Sequence, residues 1–201
     1  MAAASMPARA RPAARAEAIR ADAYEAVSRL QLALSSTDLD AAQRVIARAA
    51  LRRSAGLLLS GELDEEQARK VRFAIAQTFY EEGRLNEATT YLTAVALSHP
   101  KTEQGDTAAL MTLDAYQQAN DLLGLARSGE RFLKIGVSAE LRGRVQGLVA
   151  AAREQQVDEL ALEASGLDGG DPTEELLSFA SDNPNTPLGE RALLNAFVAA
   201  R

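Results

Sequence analysis

Residues 70–100 read KVRFAIAQTFYEEGRLNEATTYLTAVALSHP, and this stretch decides the fold. Ile75, Ala76 and Phe79, then Ala88, Leu92 and Val95, keep the three-to-four-residue spacing of a helix face, not the alternation of a strand. Gly83 separates the two runs, and no proline interrupts them before Pro100. The spacing predicts two helices joined by a tight turn at Gly83. Ala76 and Ala88 are small enough for the helices to cross closely, while Phe79 and Leu92 fill the space above and below. On this register Ala88→Leu overpacks the crossing, and Thr89→Leu on the same helix is expected to be nearly silent.

The same grammar extends in both directions. A helix is expected over about residues 14–34, carrying Ile19, Tyr24, Val27, Leu30 and Leu34. Thr37-Asp38 is expected to cap a second, running to about Ser60 and closed by Gly61. Asp64 and Gln67 have the spacing of a capping box opening a third. The fourth, from about Asn86, stops before Pro100. Thr102 caps a helix to about Ala119, Asp121 starts one to about Ile135, and Ser138 starts a long one to about Ser165. The run 166–171, GLDGGD, is the clearest loop, and Asp171-Pro172-Thr173-Glu174 then gives a strong helix start. That helix ends before Asn183-Pro184, and a last one follows from Pro187. The expected class is all-α, with about eight or nine helices.

Self-similarity sharpens this. Residues 100–113 read PKTEQGDTAALMTL and residues 184–197 read PNTPLGERALLNAF; Pro, Thr, Gly, an acid, Ala and Leu recur at equal offsets, 84 residues apart. A looser third copy starts at Ser138. Repeated helix–turn–helix units are the mark of an α-solenoid. The stretch 70–100 resembles a tetratricopeptide repeat (TPR): Ile75-Ala76 stand for its Leu-Gly, Phe79 for its Tyr, with Gly83 at the turn, then Ala88, Leu92 and Pro100. Arg72 occupies the Trp position and Val95 that of a small alanine. From Asp106 to Lys134 Tyr116 fits, but Asn120 stands at the turn glycine and Leu125 at the small alanine. The junctions also look like those of BamD-like envelope lipoproteins and Tol–Pal-associated coordinators, although this chain has no cysteine to lipidate. The resemblance implies a TPR-like α-solenoid of antiparallel helix pairs. The organisation expected is a disordered Ala/Arg/Pro tail over 1–13, a helical pair over 14–63, TPR-like repeats over 64–135, and degenerate repeats over 136–201, incomplete at the C-terminus.

By the same resemblance, the first helix of each pair lines a groove for a partner. Those positions are Lys70, Phe73, Gln77, Tyr80 and Glu81, then Leu110, Asp114, Gln117 and Gln118. The family's carboxylate clamp needs Lys and Asn; only Lys70 is basic here, with Gln77 and Asp114 at the Asn positions, so a clamp does not fit. The groove suits a peptide or helix held by amide and carboxylate contacts.

Composition narrows the chemistry. The 201 residues contain no Cys and a single His, His99, which excludes disulfides, thiolate sites, cysteine nucleophiles and multi-His metal sites. His99, at a helix end, reads as capping. Gly169-Gly170 belongs to no phosphate loop, and the acids from Glu62 to Glu66 suit a helix start without calcium-loop spacing. No cofactor or metal is expected, and no catalytic pair is present. The net charge is −6, with nine Arg against five acids in residues 1–53 and 13 basic residues against 23 acidic ones after. Such a balance is a poor match for nucleic acid. No apolar run reaches the length of a membrane span. Arg9, Arg11 and Arg15 hint at a transit peptide, but a disordered tail is the simpler reading. The compartment is cytoplasmic by default, periplasmic or envelope-associated if a signal lies upstream. Arg44, Arg48, Arg52 and Arg53 form a basic stripe with two readings: a solvated face balanced by neighbouring acids, or a dock for an acidic partner or anionic lipid. Leu141, Val145, Leu148 and Ala152 have coiled-coil spacing, for which a solenoid core face is preferred.

The function expected is a non-enzymatic protein-interaction scaffold binding a peptide or helix of another protein. The alternative is a helical regulatory or oligomerisation segment of a larger enzyme or envelope assembly. The final helix aligns with the first helix of a new repeat whose second helix is missing. Leu194, Phe197 and Val198 are therefore expected to keep uncovered apolar surface, and the chain to self-associate there or continue into a longer array.

Overall fold

The computed structural model describes residues 10–164 and 173–200, and every regular element among them is an α-helix. In order these are α1 (Ala10–Ser35), α2 (Ala41–Leu59), α3 (Glu65–Glu81), α4 (Leu85–Ser98), α5 (Glu103–Gln118), α6 (Leu122–Ile135), α7 (Ala139–Ala164), α8 (Thr173–Asp182) and α9 (Pro187–Ala199). The chain is all-α, as expected. Residues 1–9, the GLDGGD loop and the Pro172 start signal lie outside the described residues.

Two boundaries differ from expectation. Helix α1 begins at Ala10, so residues 10–13 are helical; Pro12 sits in the first turn, where a missing N–H leaves no intrahelical bond unmade. The cap of α2 is Asp40 and not Thr37-Asp38. Asp40 Oδ1 accepts from the Gln43 amide at 2.8 Å, while the Asp40 amide donates to Gln43 Oε1 at 2.9 Å. Asp38 lies in the loop, its amide donating to Ser36 Oγ. The capping box read at Asp64 and Gln67 is present.

The chain divides into two compact units, residues 1–95 and 96–201, a division that falls inside α4 and so within the block 64–135. In the first unit α2 packs against α1 and α3. Its core joins Ala23 and Val27 of α1, Leu51, Ala55 and Leu58 of α2, and Val71, Ala74 and Ile75 of α3. Tyr91 of α4 packs against this cluster and stacks on Phe79 at 5.9 Å between ring centroids. In the second unit α6 packs on α5 and α7, and α7 also packs on α8 and α9. Leu141, Val145 and Ala152 are buried there. Val157 and Leu160 of α7 share a core with Leu176 and Phe179 of α8 and Ala192 and Ala196 of α9.

The repeats read in the sequence are repeats of atoms. At the first junction Thr102 Oγ1 donates to the His99 carbonyl at 2.8 Å and accepts from the Gly105 amide at 3.1 Å. At the second, Thr186 Oγ1 donates to the Asn183 carbonyl at 2.8 Å and accepts from the Gly189 amide at 3.0 Å. Lys101 and Asn185 precede the two caps in the left-handed conformation, with φ of 62° and 59°. The helix ends match as well. Arg84 N donates to the Phe79 carbonyl and Gly83 N to that of Tyr80; Asp121 N donates to the Tyr116 carbonyl and Asn120 N to that of Gln117. Both are Schellman endings. Gly83 and Asn120 have φ of 70° and 54°, so the asparagine that weakens the sequence match takes the glycine's conformation. Asn120→Gly is therefore expected to be neutral or slightly stabilising, and Asn120→Ala to cost about 1 kcal/mol in urea denaturation.

Ala76, Ala88 and Leu92 are fully buried, the environment their assigned register requires. Thr89 is only 7% exposed and donates to the Asn86 carbonyl, which overturns the expectation that Thr89→Leu is silent. The solvent-facing neighbour is Thr90. Ala88→Leu is expected to cost about 1–3 kcal/mol and Thr90→Leu less than 0.5 kcal/mol by thermal denaturation. In α6 the close approach occurs elsewhere. A β-carbon at Gly124 would overlap the Tyr116 ring of α5 and one at Gly129 the Val149 side chain of α7, so two glycines serve the packing on either side and Leu125 need not be small.

Candidate functional site

Lys70, Phe73, Gln77 and Tyr80 follow 3-4-3 spacing and so share one face of α3. Phe73, Gln77 and Tyr80 are half-buried, and Lys70 is exposed. Lys70 Nζ reaches Glu66 Oε1, one turn earlier, at 2.7 Å. This hydrogen bond, then the charges of Lys70 and Arg69, hold the Glu66 carboxyl below its ordinary range, and the same bond raises Lys70. The carboxylate's share of the stabilisation is present above its ordinary pKa and lost as pH falls through the lowered one. The ammonium's share is present below its ordinary pKa and lost as pH rises through the raised one. Both groups are exposed, so the effect is small.

Glu81, the fifth groove position of α3, is engaged by the basic stripe. Arg48 donates through Nε and Nη2 to Glu81 Oε2 at 3.0 and 2.8 Å. One turn on, Arg52 donates to Thr78 Oγ1 and Glu82, and its guanidinium lies 4.7 Å from the centre of the Phe79 ring. Arg84 lies 4.6 Å from the same ring centre. Arg44 donates to the carbonyls of Leu34, Ser36 and Leu39, satisfying the end of α1 and the turn after it. Three arginines of the stripe thus serve carbonyls and acids of neighbouring helices inside the first unit. Arg53 is exposed and forms no ion pair among the described residues.

On α5, Asp114, Gln117 and Gln118 are exposed and Leu110 is half-buried. Gln118 Nε2 donates to Asp114 Oδ2 at 2.6 Å, which presents an amide and a carboxylate together one turn apart.

Compared with known proteins, the chain matches no family model, no curated protein and no solved structure. Function therefore rests on these side chains. His99 contributes its backbone carbonyl to the Thr102 cap, and its Nδ1 lies 2.8 Å from Ser98 Oγ. No group of three metal-ligating side chains occurs among the described residues, and no helix among them is long and apolar enough to cross a membrane.

Two apolar surfaces stand out. Leu177 of α8 and Leu193, Leu194 and Phe197 of α9 are 46%, 54%, 61% and 58% exposed and line a groove of about 620 Å³ with Thr173 and Glu190. Leu194 and Phe197 were legible from the repeat alignment; Leu177 and Leu193 were not. The second surface escaped the sequence reading altogether. Val45, Ile46 and Leu57 of α2 are exposed, on the side opposite the buried Ala47, Leu51, Ala55 and Leu58. The available signal was a helix apolar on two faces and not one.

Proposed function

We propose that the chain is a non-enzymatic protein-interaction scaffold of tetratricopeptide type, which binds a peptide or helix of another protein along α3. The observation that carries this reading is the α3 face itself: Phe73, Gln77 and Tyr80 offer half-buried aromatic and amide groups beside the exposed Lys70. Aromatic surface supplies contact area, and the amide fixes an extended or helical ligand by hydrogen bonds. The atom-for-atom repetition of junctions and helix endings supports a repeat architecture, which offers such faces in series.

Affinity capture from extract of the source organism tests this, comparing the wild-type chain with Phe73→Ala/Gln77→Ala. The proposal expects a fixed partner set that the variant loses while its circular dichroism spectrum is unchanged. Retention of the same partners by the folded variant would contradict it.

A second reading, an oligomerisation segment, is favoured by the exposed apolar groove of α8 and α9. Surfaces of this kind mark association sites. Sedimentation of the isolated chain separates the two: self-association with no foreign partner supports the second.

A further inference from the structure

We infer that the α8–α9 groove of one copy receives the outer face of α2 of another copy. The inference rests on the reading of α8–α9 as an association surface and names what occupies it. On α2, Val45, Ile46 and Leu57 are 56%, 69% and 54% exposed, and Ala49 between them is exposed and small. From Val45 to Leu57 this stripe is about 18 Å long, and the groove-lining part of α9, Glu190 to Ala200, is about 15 Å long.

Charge selects the pairing. Helix α2 contains no acidic residue, and with Arg44, Arg48 and Arg52 engaged by neighbours, Arg53 is the cation of its exposed face that forms no ion pair among the described residues. The charged residue lining the groove is Glu190, and the first turn of α8 adds Glu174 and Glu175. These three carboxylates form no ion pair among the described residues. Either face set against its own twin brings like charges together. Set against each other, the faces bring Arg53 toward carboxylates while both bury apolar side chains. The two faces differ, so a single contact leaves a groove and an α2 face unfilled, and these take further copies or pair with each other.

Sedimentation velocity on the full chain tests this over a range of concentration. The probes are Leu194→Glu/Phe197→Glu in the groove, Val45→Glu/Ile46→Glu on α2, and their equimolar mixture. All four positions are more than half exposed, so circular dichroism, and melting at concentrations where the chain is monomeric, are expected to be unchanged. The wild-type chain is expected to self-associate with rising concentration, less so in high salt. Each variant is expected to be monomeric, and the mixture to stop at a dimer, since each variant keeps one working face. A monomeric wild-type chain overturns the inference, as does a mixture that stays monomeric. Assembly abolished by the groove variant alone means that the groove pairs with itself, which overturns the inference and leaves the association surface standing. Assembly that survives the groove variant overturns both.

Discussion

Gly105→Ala and Gly189→Ala will each destabilise the chain by about 3 kcal/mol, several times the effect of an alanine at an exposed helix position. A β-carbon at Gly105 would overlap the His99 carbonyl oxygen, and one at Gly189 would overlap that of Asn183. Neither carbonyl can swing aside, because each accepts a hydrogen bond from the capping threonine, at 2.8 Å in both cases. Relief requires the helix start to move off its cap, which gives up the Gly105 or Gly189 amide bond as well. Losing both threonine bonds without the overlap, through Thr102→Val or Thr186→Val, is expected to cost about 1 kcal/mol. Chemical denaturation followed at 222 nm gives both numbers. A glycine substitution that costs no more than the threonine substitution beside it would show that the junction is not built this way.

The second large effect is expected at Phe79. Its ring sits in the first unit among the guanidiniums of Arg52 and Arg84 and the ring of Tyr91, and so ties α2, α3 and α4 together. Phe79→Ala removes apolar volume, the stack and both cation–π contacts, and is expected to cost about 3 kcal/mol. Phe79→Leu keeps most of the volume and loses the ring, so about 1–2 kcal/mol is expected. Phe79→Tyr, the residue more usual in the resembling repeat, should cost less than about 1 kcal/mol. Equal losses for the leucine and tyrosine variants would mean that the ring's electrostatics contribute nothing there.

Local chemistry made the helices legible. Capping at Asp64, Thr102, Asp121 and Thr186 depends on residues three apart in the chain, and such spacings can be read without a fold. The 84-residue repeat was legible for the same reason, since its Thr and Gly bond to each other. Legibility failed where a partner lies far along the chain. Nothing in the spacing of Arg48 and Arg52 says that Glu81 and Glu82, 33 and 30 residues later, will take them. Asn120 and Gly129 failed differently. Asparagine tolerates the left-handed turn, and the close approaches of α6 fall at Gly124 and Gly129, so the same backbone geometry is reached with different letters. The candidate face on α3 was named through the resemblance to a tetratricopeptide repeat, which implies a groove along Lys70, Phe73, Gln77, Tyr80 and Glu81. The outer face of α2 was hidden because alanine-rich helices look apolar all round, and exposure is decided by which side the neighbours cover.

The claim that α3 is a partner-binding face is tested most directly by hydrogen exchange on the chain with its captured partner bound. The proposal predicts slowed exchange in the peptides spanning Lys70–Glu81, lost together with binding in Phe73→Ala/Gln77→Ala. A bound partner that leaves exchange across Lys70–Glu81 unchanged would contradict it.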